Sequence, residues 1–300
     1  WNISGTLHRR AVSLSCRMEE GSASGTAEMV CFFRALDLQW DKENSLIKDE
    51  FARLFLSEKM QQRLPGYADR NKRDLYRRLM MYLFDWIILR HAAIDSLVRE
   101  NAPAMPVVLL GAGYDSRALR LKPFLKHGIS EVDFPATAEQ KKKILEQAKI
   151  DTAHITFHSA DLMQRSLAEI LEALGLRGKQ ALIVWEGVTM YVTRGVIEQT
   201  IRTCATELAP GSVLVADYFN EKGKSSLSAD VIKQKSEAFA KTFKSEPILF
   251  SSDPEAMRAL ALARGAKVVN SQTGSDIAAK FGRSADFKDN GMFALAEIRF

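Results

Sequence analysis

Apolar residues follow two rhythms along this chain, and the change falls near Pro106. Before it they recur at three- and four-residue steps, the period of helices that bury one stripe. Ser24 or Thr26 can cap a first helix running through Ala27, Val30, Phe33 and Leu36. A second is predicted from Asp49 to Lys59, ended by a turn at Pro65-Gly66. The third and longest is predicted from about Asp74 to Arg99, with Leu79, Leu83, Trp86, Ile94 and Leu97 on its stripe. Arg90 falls on that same stripe, and an arginine on a buried face needs a partner.

After Pro106 the apolar residues come in short unbroken runs, the mark of strands covered on both faces. The runs are Pro106 to Gly111, Glu131 to Phe134, Ile155 to Asp161, Ala181 to Glu186 and Ser212 to Phe219. Helical stretches separate them: Ala136 to Lys149, Leu162 to Leu174 and Thr193 to Leu208. Strand and helix alternating at this spacing predict an α/β fold, a doubly wound and mostly parallel sheet. The tail differs. Asn220 to Lys244 is polar, basic and expected to be helical, a candidate lid. Asp253-Pro254 opens a helix through Met257, Leu260 and Ala263 that stops at Gly265. Lys267 to Asn270 and Met292 to Phe300 complete seven strands, and the loop Asp286 to Gly291 is long enough to make the last one antiparallel. The expected division is a helical cover over residues 1–104 and a core over 105–300 with a lid-like insertion near 220–245, together one cooperative unit.

Composition narrows the class. With 300 residues, 46% apolar and 26% charged, the chain can bury a large core, and disorder is excluded. The most apolar stretch, Leu75 to Leu89, is interrupted by Arg77, Arg78 and Asp85, which argues against a membrane span. No basic-then-apolar leader is visible. Cys16, Cys31 and Cys204 are odd in number and widely spaced, so neither a disulfide framework nor a metal site is expected and a cytoplasmic setting is. The net charge of +5 is spread along the chain without a nucleic-acid signature, and no nucleic-acid partner is expected.

The chemistry gathers around Gly111-Ala112-Gly113-Tyr114-Asp115-Ser116, which follows a strand and precedes a helix that Asp115 or Ser116 would cap. Glycines there let backbone approach a ligand. The dinucleotide fingerprint wants glycine where Ser116 stands, which counts against an NAD-dependent reductase and favours a ligand without phosphates. S-adenosylmethionine (SAM) is such a ligand. Asp133, 22 residues after Gly111, ends the second strand, where a carboxylate can accept both ribose hydroxyl protons. Asp161 ends the third strand and Glu186 the fourth, so three acids and the loop converge on one crevice. Three acids also suit a cationic sulfonium.

Three blocks carry a resemblance: Val108 to Leu121 around the glycine loop, Glu131-Val-Asp-Phe-Pro135, and Trp185-Glu-Gly-Val-Thr-Met-Tyr191. Together they resemble the leucine carboxyl methyltransferase family of SAM-dependent O-methyltransferases, which have a Rossmann-like class I fold. The segments Ser24 to Ala27 with Arg34-Ala35, Ile47 to Phe55, and Glu246-Pro247 with Phe250 are similar to further family elements. The resemblance implies that Arg90 binds the SAM carboxylate and that Gly111, Ala112 and Gly113 lie beneath the methionine part. It also implies that Asp133 holds the ribose, that Asp161 and Leu162 frame the adenine, and that Glu186 stands near the methionine end. Asp115 and Arg117 resemble the family's Asp-Ser/Thr-Arg element, and Tyr191 looks like the family tyrosine that faces the acceptor. Family acceptors include the C-terminal leucine of a phosphatase subunit and natural-product acids. A carboxylate acceptor is ionised at neutral pH and needs no general base, whereas a hydroxyl would need one. His154 and His158 are expected at the start of the third strand, and His91 at a neighbouring helical position to Arg90. A small-molecule or peptidic acid is therefore the expected acceptor.

Overall fold

A computed structural model describes residues 25–67, 69, 83–162, 164–226, 248–284 and 291–300. Helix α1 spans Gly25–Trp40, which puts Thr26 inside its first turn and not at its cap. Ser24, the other candidate, lies outside the described residues. The single helix expected from Asp49 is divided. The Asp49 carboxylate accepts the N–H groups of Phe51 and Ala52, both at 3.1 Å, and starts a one-turn 3₁₀ segment, Ala52–Phe55. Leu56 is then extended (φ −89°, ψ 135°) before α2, Glu58–Tyr67. Pro65-Gly66 does not terminate α2 but sits inside its last turn, where the missing proline N–H costs one backbone bond in a helix about to end.

Helix α3 spans Leu83–Asn101, and the part expected before it lies outside the described residues. Its burial differs from a stripe. Every residue from Phe84 to Asp95 is buried, while Leu83 and Leu97 are only half-buried. A helix covered all round is a central element, with other helices on its outer side.

Strand β1 (Val107–Leu110), the short α4 (Arg117–Arg120), β2 (Ile129–Asp133), α5 (Pro135–Gln147), β3 (Ile155–Ser159) and α6 (Leu167–Ala173) follow in order. Then come β4 (Leu182–Trp185), α7 (Arg194–Glu207), β5 (Val213–Asn220), β6 (Ser251–Ser252) and α8 (Pro254–Leu262). The chain closes with β7 (Val268–Thr273), α9 (Gly274–Lys280) and β8 (Phe293–Arg299). Strand order is β3-β2-β1-β4-β5-β8-β7, with β6 pairing only the end of β5. The seven expected strands form the continuous path, and the two-residue β6 makes an eighth. As expected, β8 runs antiparallel, both to β5 and to β7. Helix α9 was not foreseen. It begins in a reciprocal cap between Thr273 and Asp276, so its start is written in side chains of low helix preference. Of the candidate lid, Glu221–Ser226 forms a 3₁₀ turn, and residues 227–247 lie outside the described residues, as do 285–290 of the final loop.

Alternation along the strands feeds two cores. Val107, Leu109, Leu182, Val184, Val213 and Val215 pack with α1 and α3 on one face. Val108, Leu110, Ile183, Trp185, Leu214 and Ala216 pack with α6, α7 and α8 on the other. Each strand therefore reads as a continuous apolar run, because both faces are covered.

Candidate functional site

The strand order reverses between β1 and β4, neighbours whose crossovers leave in opposite directions. Their carboxyl ends open a crevice, and β1 runs straight into Gly111 while β4 runs straight into Glu186. Gly111 has φ +71° and Gly113 φ +48°, conformations that favour glycine. A Cβ on Gly111 would stand 2.6 Å from Val188 Cγ2 and 3.8 Å from Leu162 Cδ1, so three segments meet there. Gly113 donates its N–H to one Asp133 carboxylate oxygen, and Phe134 donates to the other at 2.6 Å. Burial raises the Asp133 pKa, and these two N–H groups pull against that rise. The Asp133 carbonyl accepts the N–H of Ala160 at 2.8 Å, which brings the half-buried Asp161 and Leu162 to the same end of the sheet. Asp115, not Ser116, starts α4 with its side chain, accepting the Arg117 N–H at 2.7 Å. Ser116 instead donates its hydroxyl to Asp49 at 2.6 Å.

Behind the loop lies a buried chain of charges. Arg90 donates to Asp217 at 2.6 Å, and its Nε stands 2.7 Å from Glu186 Oε1. Arg117 reaches Glu186 at 2.6 Å and Asp95 at 2.7 Å, and also pairs with Asp115. Arg120 continues to Asp95 at 2.6 Å. Burial alone would neutralise Glu186 and Asp115. Arg117 and Arg90 overcome it and hold Glu186 below the usual carboxylate range, and Arg117 does the same for Asp115. Burial, then Arg117, Arg34 and Arg90, push the His91 pKa well below its ordinary value. The neutral ring fits its partners: Nδ1–H donates to Ile87 O at 2.8 Å, and Nε2 accepts from Arg34 at 3.2 Å.

The structure thus joins Arg90 to Glu186, Gly113 to Asp133, and Gly111 to Leu162. Ala112 is buried in the same loop, and Tyr191 is half-buried at the end of the 3₁₀ turn Thr189–Tyr191 that follows Glu186. Arg90 is not the unpartnered group the stripe left it. Asp217 was missed, although a carboxylate inside the apolar run of β5 is a signal in itself. Its place in the strand alternation puts it on the face that α3 covers. It also accepts the Gly187 N–H at 2.7 Å, so one buried acid fixes both Arg90 and the turn after Glu186. His158 lies inside β3, near its end, and not at its start.

Whether SAM fits can be judged from Arg90 and Asp133. The Arg90 Nε and Glu186 Oε1 are close yet poorly aligned for a hydrogen bond, and Arg90 Nη2 has no partner among the described residues. That guanidinium edge has donors left for a carboxylate. Asp133 accepts two N–H bonds and keeps lone pairs for two hydroxyls.

Several known proteins resemble this chain. A Bacillus subtilis protein provisionally named an S-adenosyl-L-methionine-dependent methyltransferase is 31% identical over 138 residues, 43% of this chain but only 45% of that protein. A Mycobacteroides abscessus protein with the same provisional name is 24% identical over 236 residues, 77% of this chain and 78% of its own. A solved SAM-dependent methyltransferase from Mesorhizobium loti aligns with 70% of this chain and 97% of its own, at 14% identity and a TM-score of 0.49. The sequence model of leucine carboxyl methyltransferases matches residues 27–205, more than half of the chain and all three blocks that carried the resemblance. The chain belongs to the leucine carboxyl methyltransferase family.

Proposed function

We propose that the protein binds SAM at the β1/β4 crevice and methylates a carboxylate oxygen of a small-molecule or peptidic acid. The observation that carries this reading is the meeting of Gly111–Gly113, Asp133 and the Arg90–Glu186 pair at the same strand ends. In it the Nη2 edge of Arg90 takes the SAM carboxylate, and Glu186 stands by the methionine end. Asp133 accepts the ribose hydroxyls, Asp161 and Leu162 frame the adenine, and Tyr191 faces the acceptor. When bound, SAM supplies a methyl group on a cationic sulfonium.

Attack by an acceptor carboxylate forms the C–O bond as the C–S bond breaks, leaving an ester and a neutral thioether. Two opposite charges disappear, so a site that excludes water and fixes the line of attack lowers the barrier without proton transfer. Three of the four described histidines agree with that economy, while His158 lies in β3 toward its carboxyl end. His91 is bonded through both ring nitrogens, and His154 Nε2 is held by the Ala118 carbonyl at 2.7 Å. His127 precedes β2, at the opposite end of the sheet from the crevice. A reducing, cytoplasmic setting belongs to the proposal. Cys31 and Cys204 are free, and burial pushes their thiols up to about 11 and about 12. No described helix is long and apolar enough to cross a membrane.

The test is transfer of a labelled methyl group from SAM to a panel of carboxylic acids and short peptides. The expected product releases its label as methanol in mild base, as esters do. Label that stays through base treatment, as in an ether or a methylamine, rejects the carboxylate acceptor.

A further inference from the structure

The glycine loop is gripped from behind by two buried cations on separate helices. Arg34, on α1, donates Nη2 to the Tyr114 carbonyl at 2.6 Å. Lys141, on α5, donates Nζ to the Asp115 carbonyl at 2.7 Å. Their relative exposures are 1% and 2%, so both are withdrawn from water. Each has its own buried carboxylate: Asp49 stands 3.1 Å from Arg34 Nε, and Glu131 stands 2.6 Å from Lys141 Nζ. Asp49 also accepts the Ser116 hydroxyl, so residues 114, 115 and 116 are held in succession by these two pairs.

Plain satisfaction of two carbonyl groups does not need this. Water or a neutral donor satisfies a carbonyl at little cost, whereas burying a full charge and its counterion is expensive. What a charged donor adds is a short, stiff bond with a defined direction. The direction matters because the peptide groups of this loop point one way or the other. With the Tyr114 and Asp115 carbonyls drawn outward, Gly113 presents its N–H to Asp133, and the left-handed turn at Gly111 and Gly113 keeps its backbone toward the crevice. Ala27 of α1 packs on the same loop, 3.3 Å from where a Gly113 Cβ would stand.

We infer that Arg34 and Lys141 are positioning residues that set the glycine loop for SAM. The inference rests on the SAM reading above and adds residues that lie outside the crevice. Neither side chain touches the ligand, so their removal weakens cofactor binding while kcat at saturating SAM changes little.

Calorimetric titration with S-adenosylhomocysteine tests this on the unaltered protein and on Lys141→Met, Lys141→Arg and Arg34→Gln. Leu260→Ala, in the core under α8 on the other face, serves as a control for general destabilisation. Kd is expected to rise about ten- to a hundredfold in Lys141→Met and Arg34→Gln, the range for a lost charged hydrogen bond. Lys141→Arg, which can still donate, recovers most of the affinity, and Leu260→Ala keeps the original Kd despite a lower Tm. Unchanged Kd in Lys141→Met and Arg34→Gln, or an equal rise in Leu260→Ala, overturns the inference. Absence of binding to the unaltered protein overturns the SAM reading itself, and this assignment with it.

Discussion

Glu131 shows how one buried side chain links the site to pH. It lies two residues before Asp133 and faces Lys141 at 2.6 Å, yet burial outweighs that attraction and raises its pKa to about 7 from 4.5. The folded state therefore binds a proton more tightly than the unfolded one. Its contribution to stability is complete below pH 4.5 and is lost as pH rises through about 7, a difference of about 3 kcal/mol. His91, whose pKa is depressed, acts in the opposite sense, losing stability as pH falls below its unfolded value. The comparison must therefore be with Glu131→Gln. Chemical denaturation at pH 5 and pH 7.5 should show that going to the higher pH costs the parent more stability, or gains it less, than the variant, and an identical change in both would contradict the assignment. At this scale the candidates in the crevice were legible because glycine and carboxylate have few reasons to follow apolar strands. Arg34, Lys141, Asp49 and Asp217 were not read as partners. Their partners lie from 10 positions away, as Lys141 with Glu131, to 127, as Arg90 with Asp217, and no local pattern marks them.

Elements were legible where one local rule decides them. The Asp253-Pro254 start of α8 is such a case, since the Asp253 side chain accepts the N–H groups of Glu255 and Ala256. Asp253→Ala should cost about 1 kcal/mol in denaturant unfolding and leave S-adenosylhomocysteine affinity unchanged; altered affinity would tie α8 to the crevice. The strands behave similarly, because burial on two faces leaves an unbroken apolar run. Elements were misread where side chains override the local pattern. The Asp49 turn divides an expected helix, the Thr273–Asp276 cap starts an unexpected one, and Ser116 gives its hydroxyl to Asp49 and not to a helix end. The described part of helix α3 falls where a helix was expected, but it was understood as an amphipathic cover. Its polar Arg90, His91 and Asp95 are as buried as its apolar residues, and only the charge network explains how that is tolerated.

At the scale of the molecule, the helices before Pro106 and one face of the sheet form a single hydrophobic core. Phe33 and Leu36 of α1 and Trp86 and Ile94 of α3 share it with strand residues Leu109, Val184 and Val215. A core shared in this way should melt as one unit, so calorimetry should show a single unfolding transition; two separated transitions would mean that the cover and the sheet fold independently. The net charge of +5 has its counterpart here. The ionic groups that matter are the buried, paired ones behind the glycine loop, while surface pairs such as Lys143 with Glu139 contribute little. The central claim is that this interior builds a SAM site. Its most direct measurement is calorimetric titration of the pure protein with S-adenosylhomocysteine, alongside Arg90→Ala and Asp133→Ala. The account predicts saturable one-to-one binding to the unaltered protein and a loss of at least about tenfold in affinity in each variant, the scale of one charged hydrogen bond. No binding to the unaltered protein, or equal affinity in all three, would contradict it.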